Sequence, residues 1–177
     1  YNAGRVIAEI ERQGKLDNTL IFYIWGDNGS SAEGLNGTIS EQLAQNAIPT
    51  TIPQHLEALK ELGGLDALGG PKTDNMYHAA WAWAGSTPYR STKLVGAHFG
   101  GTRNPMAVSW PRGIKADPVA RPQFHHVIDI APTIYEVTKI TPPRVVNGFE
   151  QDTVAGASLI YTFGDAKAKG TRKTQFF

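Results

Sequence analysis

Leu16-Asp17-Asn18-Thr19-Leu20-Ile21-Phe22-Tyr23-Ile24-Trp25-Gly26-Asp27-Asn28-Gly29 is the stretch that decides the architecture of this chain. Asp17-Asn18 is turn chemistry, since both side chains can bond to their own backbone. From Thr19 to Trp25 the residues run with little polar alternation. That pattern predicts a strand covered on both faces, as in a parallel α/β sheet. Just upstream, Ala3, Val6, Ile7 and Ile10 stand at helical spacing and predict an amphipathic helix over residues 2–13, with Gly14 as its left-handed stop. Helix, short turn and buried strand make half of a βαβ unit. Ligands of open α/β sheets bind beyond the carboxyl ends of the strands, and Asp27 and Asn28 occupy that position.

Further along, residues 30–52 are small and polar, with a short helix near 40–46. Pro53 at a first helical position, then Leu56, Leu59 and Leu62, predicts a helix over 53–62. Four glycines and a proline make 63–75 a loop. Tyr77, Trp81 and Trp83 fall in a short helix or turn over 77–84. Residues 86–105 are rich in Gly, Ser, Thr and basic side chains. Met106 to Trp110 reads as a second strand, stopped by Pro111-Arg112-Gly113, and Phe124 to Val137 as a helix. Short strands are expected near 157–163 and 173–177.

Composition narrows the function. The chain has 177 residues, 41% of them hydrophobic, and a formal charge of +1. That balance gives no electrostatic reason to expect nucleic acid or an anionic membrane as partner. No apolar run approaches the roughly 20 residues needed to span a bilayer. Cysteine is absent, so disulfides, thiolate metal sites and a cysteine-derived nucleophile within the chain are excluded. The chain starts at Tyr1 on a helical pattern and stops on Phe176-Phe177, which reads as a piece of something longer.

Two groups of residues carry chemistry. Asp27 and Asn28 offer a carboxylate and an amide oxygen at one strand end, hard ligands suited to Ca²⁺, with Mg²⁺ the weaker candidate. Asp-Asn-Gly is equally an ordinary turn. Lys93 and His98 lie in the glycine-rich stretch Thr92 to Arg103. Glycine lets backbone approach a ligand, and lysine is a point charge for an anionic oxygen. A solvated surface loop accounts for the same pattern. His125 and His126 point about 100° apart on a helix and read as helix N-terminal residues rather than a metal pair. Asp129 reads as a capping or buried hydrogen-bonding residue.

Taken together, these pieces resemble the sulfatase family of the alkaline phosphatase superfamily. Leu16 to Gly29 looks like that family's helix–turn–strand ending in a metal-binding Asp-Asn. Gly85-Ser86-Thr87-Pro88-Tyr89-Arg90-Ser91-Thr92-Lys93 is similar to its "NTPFR..K" segment. His98-Phe99-Gly100-Gly101-Thr102-Arg103-Asn104-Pro105 resembles "HEGG.R.P", with Phe99 where many relatives carry glutamate. Met106 to Pro111 matches the strand ending in "WP", and His126 to Thr133 looks like "HVIDI.PT". Five motifs in one order are far more specific than any alone. The texture is that of the large bacterial arylsulfatases.

The resemblance implies an alkaline-phosphatase-like α/β fold, a mixed and largely parallel sheet flanked by helices, of which residues 1–177 would be the C-terminal portion of the catalytic domain. It implies a formylglycine nucleophile made from Cys or Ser in a C/S-x-P-x-R motif, which this chain lacks. It implies calcium held partly by Asp27 and Asn28, and a sulfate ester as small-molecule substrate, with Lys93 in a catalytic, sulfate-binding role and His98 beside it. The remainder of the same catalytic domain is the expected partner, and the chain alone is expected to be inactive. A phosphonate monoester hydrolase or phosphodiesterase of the same superfamily is the alternative, and a non-catalytic anion-binding remnant is another. Bacterial cytoplasm and periplasm both remain open.

Overall fold

The computed structural model describes residues 1–26 and 29–176. These fall into two compact units, one of residues 1–22 with 108–177 and one of residues 23–107. Among the described residues no helix is long and apolar enough to cross a membrane.

In the first unit, helix α1 spans Asn2–Arg12. It ends where the sequence says it should. Gly14 adopts φ +67°, its N–H donates to Glu11 O at 2.8 Å, and the Lys15 N–H donates to Ile10 O at 3.1 Å. These two bonds form a Schellman stop, which satisfies carbonyls that the helix would otherwise leave orphaned. The apolar stripe of α1 nevertheless has no buried residue.

A short 3-10 turn at Leu16–Asn18 leads into strand β1, Ile21–Ile24, which pairs with strand β2, Met106–Ser109; the last two residues of β1 and the first two of β2 are counted with the second unit. The bonds flanking the two strands reveal their direction. The carbonyl of Asp17, before β1, accepts from the N–H of Arg112, after β2, at 2.9 Å. Trp25, after β1, donates to the carbonyl of Pro105, before β2, at 3.4 Å. The strands therefore run antiparallel. This corrects the expectation of a parallel strand covered on both faces. The observed β1 is half-buried at Ile21 and Phe22 and exposed at Tyr23 and Ile24. Two-stranded sheets are the largest among the described residues, and the faces of a strand are buried only where helices pack on them, whereas α1 has no buried residue.

The rest of the first unit is organised around helix α6, Ile130–Thr138, entered through a 3-10 turn at Val127–Asp129. Strands β3, Val145–Val146, and β4, Phe149–Glu150, form an antiparallel hairpin with Val146 opposite Phe149. Its two-residue turn is Asn147-Gly148, with φ +50° and +86°, the combination that a tight hairpin favours. The sequence pattern places no element here. Conversely, the strand expected near 157–163 is a 3-10 turn at Ile160–Thr162, and no strand forms over 173–176.

In the second unit, helix α2, Glu41–Gln45, is capped by Ser40. Helix α3, Ile52–Leu62, opens with a capping box in which Thr51 Oγ1 accepts from Gln54 N and Gln54 Oε1 accepts from Thr51 N, and it stops at Gly63 with φ +120°. Helix α4, Ala79–Ser86, is capped by His78 Nδ1, which accepts from Ala80 N at 3.0 Å. Helix α5, Phe99–Thr102, is a single turn where a loop was expected. Leu59 and Ala82 are the buried apolar side chains of this unit, while Trp81 and Trp83 are exposed.

Candidate functional site

Lys93 and the glycines around it form one tightly folded loop in the second unit. The backbone leaving β1 packs directly on that loop. Lys93 N–H donates to Ser30 O at 2.9 Å. A Cβ placed on Gly29 would stand 2.9 Å from Lys93 N and 3.0 Å from Gly101 Cα, with Gly100 O closer still. Gly29 adopts φ +89°, and its N–H is shared between Gly26 O at 3.1 Å and Asn104 Oδ1 at 3.2 Å. The segment following the Asp27-Asn28 strand end and the lysine loop are thus in backbone contact, although 64 positions separate Gly29 from Lys93. Asp27 and Asn28 themselves lie outside the described residues.

Each glycine of the pair has a steric reason. Gly100 N–H donates to Arg90 O at 2.9 Å, and a Cβ there would run into the Arg90 and Ser91 carbonyls. On Gly101 a Cβ would meet Val95 O at 2.6 Å and Thr92 O at 2.7 Å. The loop closes so tightly that two side-chain-bearing residues flanking Lys93 are left-handed, Ser91 at φ +69° and Leu94 at φ +75°. Backbone held in such regions costs roughly 1–3 kcal/mol each and gathers at binding and catalytic sites.

His98 precedes α5 as its N-cap and enters the loop through its backbone, its carbonyl accepting from Gly101 N at 3.0 Å and Thr102 Oγ1 at 3.2 Å. Phe99 is exposed and meets the Tyr89 ring edge-on at 5.7 Å. Above both rings lies the Arg103 guanidinium, 5.1 Å from Tyr89 and 5.5 Å from Phe99.

The partner of Lys93 that sequence reasoning missed is Glu33. Its Oε2 accepts from Lys93 Nζ at 2.8 Å and from Ser31 Oγ at 2.7 Å. The lysine beside it, and then the serine hydroxyl, hold the Glu33 carboxyl below the usual carboxylate range. Nothing in the sequence pairs two residues 60 positions apart.

In the first unit, Asp129 is a structural hub. It is 1% exposed. Its Oδ2 accepts from His126 N at 2.8 Å, and its Oδ1 from Ala157 N at 2.8 Å and from the Arg172 guanidinium. Burial pushes its carboxyl up, but the Ala157 and His126 amides and Arg172 outweigh that and hold it below its ordinary value. Thr133, fully buried, donates to Asp129 O at 2.6 Å and accepts from Leu159 N at 2.8 Å. His126 Nδ1 accepts from Ile128 N at 3.4 Å as the N-cap, and His125 faces the Tyr161 hydroxyl at 3.0 Å. Of the two histidines only His126 caps a helical start, that of the Val127–Asp129 turn, while His125 pairs with Tyr161; Asp129 is the buried hydrogen-bonding residue that its sequence position suggests.

No group of three or more His, Cys, Asp or Glu side chains comes together among the described residues. The donors at 27 and 28 are the right kind for a hard cation, but two oxygens fall well short of the six to eight that Ca²⁺ takes.

Comparison with known proteins gives a consistent picture. Residues 1–140 match the sulfatase family model. A Schizosaccharomyces pombe protein, described as an uncharacterized sulfatase, is 30% identical over 142 residues, which cover 80% of this chain and 23% of that protein. This chain therefore spans about a quarter of the length of the curated relative it matches. The matched region takes in β1, the lysine loop and β2, and ends just beyond α6. On these grounds the chain belongs to the sulfatase family.

Proposed function

We propose that residues 1–177 are the C-terminal portion of the catalytic domain of a sulfuric ester hydrolase that cleaves aryl sulfates to a phenol and sulfate. The observation that carries this reading is the packing of Gly29 and Ser30 against Lys93, Gly100 and Gly101. It joins the segment after the metal-binding candidates to the loop bearing the sulfate-binding candidate.

Lys93 supplies the positive charge that holds a sulfate oxygen, and the rigid glycine loop fixes where that charge sits. His98, at the head of α5, flanks the same anion. Asp27 and Asn28 supply two hard oxygens to a calcium ion, and the remaining ligands come from outside this chain. Calcium, when bound, neutralises sulfate oxygens. The nucleophile, a formylglycine, also belongs to the remainder of the domain, which is the chain's partner. The isolated chain does not turn over.

The test uses the full-length protein with 4-nitrophenyl sulfate. Lys93→Ala is expected to lower kcat by about 100-fold with calcium content unchanged. Asp27→Ala is expected to lose calcium and activity together. Near-wild-type turnover in either variant removes that residue from the mechanism. Faster cleavage of bis(4-nitrophenyl) phosphate than of the sulfate ester would transfer the protein to the phosphoryl hydrolases of the superfamily.

A further inference from the structure

Glu33 sits on a short piece of backbone that is fixed from both sides. Upstream, Ser30 O accepts the Lys93 N–H at 2.9 Å. Downstream, buried Gly34 lies against Tyr77 and Met76, where a Cβ would collide with the Tyr77 carbonyl and stand 3.0 Å from Met76 Cβ. Between these anchors the carboxylate is steadied by Ser31 Oγ and aimed at Lys93 Nζ. The pair is part-exposed in this chain, at 29% for the lysine side chain and 38% for the glutamate.

Stability does not explain such a placement. Ion pairs this open to water contribute at most about 1 kcal/mol. The carboxylate matters more to an anion arriving at Lys93. Coulomb energy is linear in the charge of the ligand, so a fixed negative charge repels a dianion twice as strongly as a monoanion at the same place.

We propose that Glu33 acts as a charge filter on Lys93, favouring ligands with one negative charge over ligands with two. The inference rests on the reading of Lys93 as the sulfate-binding cation. A sulfate monoester carries one negative charge and inorganic sulfate, its product, carries two. A phosphate monoester is also close to doubly charged at neutral pH. Glu33 therefore lowers the affinity of the product relative to the substrate and disfavours phosphate monoesters, while the Ser31 hydroxyl steadies the carboxylate. It is a specificity-determining residue and takes no part in bond cleavage.

The experiment is calorimetric titration of the full-length protein with two inert anions, inorganic sulfate as dianion and methanesulfonate as monoanion. Glu33→Gln removes the charge and keeps the shape. It is expected to tighten sulfate binding about fivefold and methanesulfonate about twofold, the first factor being near the square of the second. Glu33→Asp keeps the charge and is expected to preserve the wild-type ratio of the two constants. Equal shifts for both anions in Glu33→Gln, or none, overturn the filter. Lys93→Ala separates the two claims. If it weakens both anions while Glu33→Gln shifts them equally, the filter alone fails. If it leaves both constants unchanged, the role of Lys93 fails and the filter with it.

Discussion

Gly100 shows how little freedom a single position in this loop has. Its Cα lies against the Arg90 and Ser91 carbonyls, which are backbone and cannot rotate aside. Gly100→Ala must therefore move the loop, and a displacement of the order of 1 Å at an anion site costs about 100-fold in rate. In the full-length protein, Gly100→Ala is expected to lose activity on that scale while calcium binding persists. Metal content together with kcat is the check. Asp129 is the opposite kind of residue, a buried hub of hydrogen bonds within the first unit. Its carboxyl is held below its ordinary value, as is the His125 imidazole, which burial pushes down while Asp129 raises it and Arg172 lowers it. Both groups bind protons more readily in the unfolded chain, so stability is full above the unfolded values and drains as pH falls. The midpoint of thermal unfolding should fall first below about pH 6.5, from His125, and again below about pH 4, from Asp129. The upper step should vanish in His125→Gln. Removing the Asp129 charge strands Arg172, and Asp129→Ala should cost about 3 kcal/mol or more at neutral pH, read by denaturant titration.

Elements were legible where the signal is local. α1 and its Gly14 stop, α3 with Pro53, and both strands of the first sheet follow from spacing and punctuation alone. The hairpin at Asn147-Gly148 was missed, although Asn-Gly is a strong short-range hairpin signal. Its strands are only two residues each, too short for a period-2 pattern to register. The reading failed differently near 157–163. Those residues have strand-like composition, but their backbone is claimed by Thr133 and Asp129, which accept the Leu159 and Ala157 N–H groups that a strand would give to a neighbour. Of the site, the lysine loop and its glycines were readable as a motif. Glu33 was not, because an ion pair across 60 positions leaves no periodicity. The hairpin turn offers its own check. Gly148 holds φ +86°, and no atom stands within 4 Å of where a Cβ on it would lie, so Gly148→Ala costs backbone strain and no clash. A loss of about 1 kcal/mol is expected, with activity intact.

The molecule as a whole exposes far more surface than its mass warrants. A compact chain of 19.2 kDa exposes about 8,400 Å², and two separate bodies of half that mass about 10,000 Å². This chain exposes 13,135 Å². Large apolar side chains are exposed in each unit, Val6 on α1 in the first and Tyr23, Trp25, Trp81 and Trp83 in the second. The isolated 177-residue chain should bind the dye ANS strongly and associate at micromolar concentration. Co-expression with the remainder of the domain should suppress both, as seen by fluorescence and light scattering. Unchanged dye binding in the presence of that partner would mean that the apolar faces are not covered by it. The Asp129 hub also governs time. Its bonds and those of Thr133 close loops of 26 to 43 residues, and loop closure must precede the reward of contact. Such bonds are expected to form late on the way to the folded state and so to act on the rate of leaving it more than on the rate of reaching it. The ties from Ala157, Leu159 and Arg172 back to Asp129 and Thr133 would then be a clock, setting how long this unit lasts once made.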